Sequence, residues 1–203
     1  YGVNIFGHVD KEITDQITKQ LKTLTTLHGS FNNDKRAEAS ELLIKRCGSS
    51  YKFVYWSNSG AEANEAALKF AVTTTGKKKI IACENAYHGK TLGTLSVTAG
   101  EKYRKPFLPL LWEIIFIKYN NIQALEKAID KNTAAFIVEP IQGEGGIYVP
   151  DKDYLKKVRE ICNKHGVLLI VDEIQTGMGR TGSLLSMQKT GIEADILTLG
   201  KGL

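Results

Sequence analysis

Short apolar runs alternate with stretches of helical period along this chain, and that alternation is what most constrains its fold. Most of the runs are rich in Val, Ile and Phe and are apolar on both faces, as buried parallel strands are. The candidate strands are residues 51–56, 79–83, 113–117, 134–138, 167–171 and 196–199. This order of elements predicts an α/β fold in which helices flank a mostly parallel sheet.

The stretches between the runs carry apolar side chains at helical spacing, which is typical of helices with one buried face. No internal repeat, low-complexity tract or linker interrupts this order. The candidate stripes are Ile13, Ile17, Leu21 and Leu24; Ala66, Phe70 and Ala71; Ile122, Leu125 and Ile129; and Tyr154, Leu155, Val158, Ile161 and Cys162.

The composition argues against several classes of protein. Of the 203 residues, 42% are hydrophobic and 24% charged, as in ordinary globular proteins. The chain has no apolar run of membrane-spanning length and no signal-peptide pattern, and its net charge of +5 is scattered. Its 3 cysteines lack zinc-site and C-x-x-C spacing. We therefore expect a cytoplasmic protein that binds no membrane, nucleic acid or metal.

Two residues at predicted strand ends indicate a particular chemistry. Asp172 ends the run Val167–Asp172, and Lys201 follows the run 196–199. Ligands of α/β sheets bind at the carboxyl ends of strands. A lysine there can condense with the aldehyde of pyridoxal phosphate (PLP), and a carboxylate can keep its ring nitrogen protonated. A helix cap or salt bridge for Asp172, and a surface position for Lys201, are the structural alternatives.

The segment Ser59-Gly60-Ala61-Glu62 follows the first candidate strand and opens a helix. Ser59 and Glu62 have the spacing of a capping box, which is a purely structural interpretation. Gly60 instead lets the backbone approach an anion, and free N–H groups at a helix start bind phosphate. The position after a strand of an α/β unit favours phosphate.

Aromatic and polar residues follow other predicted strands. Tyr87, beside His88, can stack on a flat ring, although both can be ordinary loop residues. Ile174 and Gln175, just after Asp172, can supply an apolar face and a polar contact to a ring hydroxyl.

Two acids lie in the glycine-rich loop after the run 134–138. Glu139 and Glu144 can do acid–base work or pair with cations, or they can be solvated loop acids. Glu139 is the better candidate because it stands directly at the strand end.

The segment Gly177–Gly182 matches G-x-G-x-x-G, the dinucleotide-binding fingerprint. The fingerprint needs its first glycine at the strand end, but residues 172–176 intervene here. It also needs an acid that ends the next strand, whereas Asp195 precedes its strand. We therefore reject a nicotinamide-binding interpretation.

Several linked motifs resemble the class III PLP-dependent aminotransferases, with acetylornithine, ornithine and putrescine aminotransferases as the nearest relatives. The resemblance spans nearly the whole chain. The motifs are Ser59–Asn64, Tyr87–Gly89, Val138–Gly146, Asp172–Gly182 and Asp195–Lys201.

The resemblance implies the aspartate-aminotransferase fold, PLP as the cofactor and a homodimer with active sites at its interface. It implies that Lys201 carries the cofactor and moves the proton, and that Asp172 pairs with the ring nitrogen. The cofactor-binding set that it implies is Ser59, Gly60, Ala61, Tyr87, His88, Asp172, Ile174, Gln175 and Lys201.

Three further residues are implied to bind substrate. Glu144 matches the gating glutamate of the family, and Glu139 matches a second active-site glutamate. Lys90 stands where acetylornithine and ornithine enzymes often have an Arg that binds a carboxylate, and putrescine-type enzymes have Lys. A lysine cannot make the bidentate contact of an arginine, which weakens an assignment to N-acetylornithine.

The expected reaction moves an amino group from (acetyl)ornithine or a similar ω-amino compound to 2-oxoglutarate. Open alternatives are a putrescine or 4-aminobutyrate-type aminotransferase, a glutamate-semialdehyde-type aminomutase and an inactive relative that serves as an interaction module. We expect residues 1–50 to be a helical segment leading into the large domain. Residues 51–203 should then be the N-terminal part of that PLP-binding domain, with the remainder and a small C-terminal domain absent. Such a fragment should be inactive alone.

Overall fold

The computed structural model describes residues 2–203, which divide into two compact units between residues 55 and 56. The first unit contains the helices α1 (Lys11–Leu21) and α2 (Asp34–Cys47). Asp10 and Asn33 cap them by accepting hydrogen bonds from N–H groups of the first turns. The stripe predicted at residues 13–24 thus lies mostly on a helix, but no residue of α1 is buried.

A parallel sheet forms the centre of the second unit. Its strands lie in the order β2-β1-β3-β4-β5, and each neighbouring pair is parallel. This arrangement confirms the predicted α/β class. The strands are β1 (Lys79–Cys83), β2 (Glu113–Ile117), β3 (Thr133–Val138), β4 (Leu168–Asp172) and β5 (Ile196–Thr198).

The strands from residue 79 onward are confirmed to within one residue at each end, but the one predicted at 51–56 is wrong. Residues 51–57 form neither strand nor helix. Strand propensity measures how well side chains fit a pleated, half-buried surface. Phe53 is 93% exposed, so this aromatic-rich stretch lacks that surface in the described residues.

Helices pack on the sheet through small and branched side chains. On α3, residues Ala67, Leu68 and Ala71 contact the strands in one hydrophobic core. Phe70 is 45% exposed, so the buried face of α3 differs from the predicted stripe. None of the helices in residues 2–203 is long and apolar enough to cross a membrane. The helices of this unit are α3 (Gly60–Thr75), α4 (Leu92–Val97), α5 (Glu101–Arg104), α6 (Ile122–Ala128) and α7 (Tyr154–His165).

Replacing Phe136 with Ala should lower the free energy of unfolding by about 3–5 kcal/mol. Its side chain is fully buried on β3, the middle strand of the sheet. Phe107 is 55% exposed and serves as the matched control, with an expected loss below about 1 kcal/mol. Urea unfolding of the complete gene product measures both. Equal losses would contradict this assignment of the core.

Candidate active site

Neighbouring strands end at one edge of the sheet, where residues singled out from the sequence follow them. The strand register places the ends of β3, β4 and β5 side by side. Glu139 comes directly after β3, Asp172 ends β4, and Lys201 comes shortly after β5. This is the edge at which α/β sheets bind their ligands.

The Asp172 carboxylate is buried and accepts hydrogen bonds from three donors. Its Oδ2 accepts from Asn64 Nδ2 at 2.7 Å and from His88 Nδ1 at 2.8 Å. Its Oδ1 accepts from the backbone N–H of Ile174 at 3.0 Å. A buried charge without such donors would be strongly destabilising. The donors lie on α3, in the loop after β1 and in the loop after β4, so this carboxylate joins three parts of the fold.

Asn64, at the centre of this network, was not identified from the sequence as a site residue. It is fully buried on α3, and its Nδ2 also donates to the carbonyl of His88 at 2.9 Å. Its Oδ1 accepts a hydrogen bond from Thr198 Oγ1 at 2.8 Å. Asn64 lies in one of the recognised motifs, but no local spacing connects it to partners so distant in the chain.

Ile174 packs against the first residue of α3. A Cβ atom added to Gly60 would lie 2.8 Å from Ile174 Cγ2, so only glycine fits there without a shift. A Cβ atom on Gly200 would lie 3.6 Å from Gly60 Cα. The chain just before Lys201 therefore runs beside the start of α3. Lys201 itself has a φ of 54°. This backbone conformation is uncommon for residues other than glycine, and it recurs at functional sites.

The start of α3 has the helix cap that its sequence predicts. Ser59 Oγ accepts a hydrogen bond from the N–H of Glu62, whose carboxylate accepts one from the N–H of Asn58. The Ser59 carbonyl accepts from the N–H of Ala63. The cap therefore exists, and it leaves the first N–H groups of the helix beyond the reach of any carbonyl within the helix. Those groups belong to Gly60 and Ala61 and remain suited to an anion.

Tyr87 belongs to an aromatic pair beside the site. Its ring meets the ring of Tyr103 edge to face, with 5.9 Å between centroids. The Nζ atoms of Lys90 and Lys102 lie 5.0 Å and 4.7 Å from the centroid of Tyr103. Lys90 is exposed and thus contributes positive charge to the surface next to Tyr87.

Glu139 is a second buried carboxyl group at this edge. It accepts hydrogen bonds from the N–H groups of Tyr87 at 3.1 Å and Gly143 at 3.2 Å. Burial raises the pKa of Glu139 to about 7, and the negative charge of Asp172 adds to that rise. His88 and the two backbone donors lower the pKa of Glu139 by a smaller amount. Glu139 therefore exchanges a proton near neutral pH.

The loop that follows Glu139 packs against Gln175 of the loop after β4, whereas its own residue Glu144 lies at the surface. Gln175 packs against Gly143 so closely that an added Cβ would lie 1.3 Å from Gln175 Oε1. Glu144 is exposed. The structure therefore joins the loops after β3 and β4 through Gln175, but does not bring Glu144 to the Asp172 network.

Among residues 2–203, no group of three or more His, Cys, Asp or Glu side chains is arranged so that it could hold a metal ion. Residues 177–182 form turns rather than a helix start. The dinucleotide fingerprint therefore lacks the helix whose N-terminus would bind a pyrophosphate.

Comparison with known proteins identifies the family. The sequence pattern of the family described as aminotransferase class-III matches residues 1–203. The chain therefore belongs to that family. It is 42% identical over 201 residues to the acetylornithine aminotransferase of Methanopyrus kandleri, covering 99% of this chain and 52% of that protein. It is 46% identical over 202 residues to the [LysW]-aminoadipate semialdehyde/glutamate semialdehyde transaminase of Sulfurisphaera tokodaii, covering 100% and 52%.

The fold agrees with the family. The chain superposes on a solved ornithine aminotransferase from Toxoplasma gondii with a TM-score of 0.90 and 40% identity. That match covers 96% of this chain and 47% of the other, whose active site is described as partly occupied by PLP. The predicted fold is confirmed, and the chain spans about half the length of the relatives that it matches.

The raised pKa of Glu139 predicts a pH-dependent stability in the protein without added ligand. Between pH 4.5 and 7 the unfolded chain releases this proton while the folded chain keeps it. The stability contributed by Glu139 should therefore fall by about 3 kcal/mol as the pH rises through this range.

The comparison of wild type with Glu139→Gln isolates this contribution, because the variant has no proton to release there. Both free energies of unfolding are measured in urea at several pH values. As the pH rises, the free energy of unfolding of the wild type should fall relative to that of the variant. A difference that is constant from pH 4.5 to 7 would contradict the assignment.

Proposed function

We propose that the complete gene product is a PLP-dependent aminotransferase. The observation that carries the proposal is the buried Asp172 carboxylate at the end of β4, with the chain that leads to Lys201 running past the start of α3. The membership in the class-III family and the PLP described in the Toxoplasma gondii relative support it. The homodimer and the cytoplasmic location expected from the sequence stay predictions.

The residues of the site fit PLP by their chemistry. Asp172 Oδ1 accepts one hydrogen bond in the structure and has a second lone pair for a protonated ring nitrogen. His88 Nε2 is buried without a hydrogen-bond partner, as a group next to a polar ligand would be. The N–H groups of Gly60 and Ala61 would bind the phosphate. Tyr87 and Ile174 would cover the two faces of the ring.

The protein's own groups then have distinct tasks. When bound, PLP supplies an aldehyde that condenses with primary amines and a ring that withdraws electrons. Asp172 would hold the proton on the ring nitrogen through a charge-assisted hydrogen bond. Lys201 Nζ would provide the amine that holds the cofactor and would accept and return the proton of the donor carbon. The side chains of Tyr87 and Ile174 would exclude water from the ring.

For the substrates, we propose an ω-amino compound of the (acetyl)ornithine type as donor and 2-oxoglutarate as acceptor. The acetylornithine and ornithine aminotransferases among the relatives support the donor class. The semialdehyde transaminase of Sulfurisphaera tokodaii widens it to related ω-amino compounds. Lys90 stands where putrescine-type enzymes have Lys and cannot make the bidentate contact of an arginine with a carboxylate, which supports a second candidate, a putrescine-type donor.

Borohydride reduction of the complete gene product with PLP, followed by peptide mapping, should place the label on Lys201. The variant Lys201→Ala should lose the label, and its kcat should fall by at least ~10²-fold because the proton-transfer group is gone. Lys90→Ala is the matched control and should keep the label on Lys201. A label on another lysine would refute the assignment of Lys201.

A panel of donors separates the two candidate substrates. With 2-oxoglutarate as acceptor, N-acetylornithine or ornithine should give a higher kcat/KM than putrescine if Lys90 binds a carboxylate. Lys90→Ala should then raise the KM of those donors about fivefold, the effect of one exposed ion pair, and leave putrescine unchanged. Equal effects on both kinds of donor would show that Lys90 does not recognise the carboxylate.

A further inference from the structure

We propose that Asn64 is a positioning residue that fixes the Asp172 carboxylate in the orientation in which it binds the cofactor ring. The inference rests on the proposed PLP-dependent function. It is drawn from the hydrogen bonds that Asn64 makes inside the fold, since Asn64 itself is not among the residues assigned to the cofactor or the substrate.

The orientation of the Asn64 amide is determined by its surroundings. Nδ2 faces the Asp172 carboxylate and the His88 carbonyl, which can only accept hydrogen bonds. A reversed amide would set an oxygen against both of these acceptors. The hydroxyl of Thr198 on β5 donates to Oδ1 and supports the same orientation. Both N–H bonds of the Asn64 amide are thus used, one of them on Asp172.

The amide also selects which carboxylate oxygen of Asp172 is free. Oδ2 accepts two hydrogen bonds, from Asn64 and His88, whereas Oδ1 accepts one from the N–H of Ile174. Since each carboxylate oxygen accepts about two hydrogen bonds, the remaining position lies on Oδ1. The amide of Asn64 has its two N–H groups in one fixed form, whereas the hydrogen on His88 Nδ1 depends on which tautomer the ring adopts. Asn64 is therefore the constant part of the arrangement.

Asn64 also connects the two ends of the proposed cofactor site. It lies on α3 one helical turn after Gly60, so one rigid helix carries the suggested phosphate-binding N–H groups and the donor to Asp172. Thr198, next to Asp172 across the β4–β5 pair, fixes the same amide from the sheet. The distance between the phosphate end and the ring end is thereby set by one side chain.

Asn64→Leu tests this role, because leucine has a similar size and no donor. Removing a donor to a charged carboxylate favours its neutral form. The dissociation constant of PLP from the complete gene product should rise about tenfold at pH 8 and more at pH 6. The titratable neighbours of Asp172, namely His88, Glu139 and Glu173, are unchanged in the variant. Equilibrium dialysis of the cofactor-free protein with PLP measures both constants.

Glu65→Ala is the matched control on the same helix. Glu65 accepts one hydrogen bond from the backbone N–H of Thr94 on α4 and one from the hydroxyl of Thr91, the residue that precedes this helix. Neither hydrogen bond involves Asp172. This variant should lower the melting temperature and keep the wild-type pH dependence of PLP binding. A loss in Asn64→Leu that is equal at pH 6 and pH 8 would mean a merely structural role and overturn the proposal.

Thr198→Val removes only the hydroxyl that orients the amide and should show the same pH-dependent loss at a smaller size. If Asn64→Leu does not fold, Thr198→Val tests the role of Asn64 by the same comparison of PLP affinity at pH 6 and pH 8. If either Asn64→Leu or Thr198→Val folds and binds PLP with wild-type affinity at both pH values, the inference about Asn64 is overturned while the proposed function stands. If the wild-type protein itself binds no PLP, the proposed function fails and this inference with it.

Discussion

A buried carboxylate at the end of β4 is the feature on which the rest of the site depends. Removing such a charge from water is costly, so the fold must deliver donors to it. The donors to Asp172 come from α3, from the loop after β1 and from the loop after β4. These parts also carry Gly60, Tyr87 and Ile174. The hydrogen bonds to Asp172 therefore also gather the other candidate residues around it.

The sequence predicted the sheet well because its strands are covered on both sides. Side chains such as Ile80 and Ile81 are both fully buried although they point to opposite faces, so their strand appears as a continuous apolar run. Polar residues directly after such runs must lie at the sheet edge, which is why Asp172 and Glu139 could be found. The prediction of a strand at residues 51–56 was wrong because composition reports strand propensity and says nothing about a pairing partner.

The hydrogen bonds inside the site could not be predicted in the same way. The partners of Asn64 lie 24, 108 and 134 residues away, at His88, Asp172 and Thr198. A helical stripe shows that a position is buried, but it does not show which distant acceptor faces it. On α3 the only local signals were the cap at Ser59 and the small residues of the buried face. Long-range polar contacts depend on the packed fold and become visible only there.

The two buried acids of the site differ in the donors that surround them. Asp172 accepts three hydrogen bonds, including one from a histidine ring, whereas Glu139 accepts two from backbone N–H groups. Two neighbouring carboxylates repel one another, and the charge of Asp172 contributes to the raised pKa of Glu139. Below about pH 7 the proton therefore resides on Glu139. Glu139 is thus able to donate or accept a proton close to neutrality.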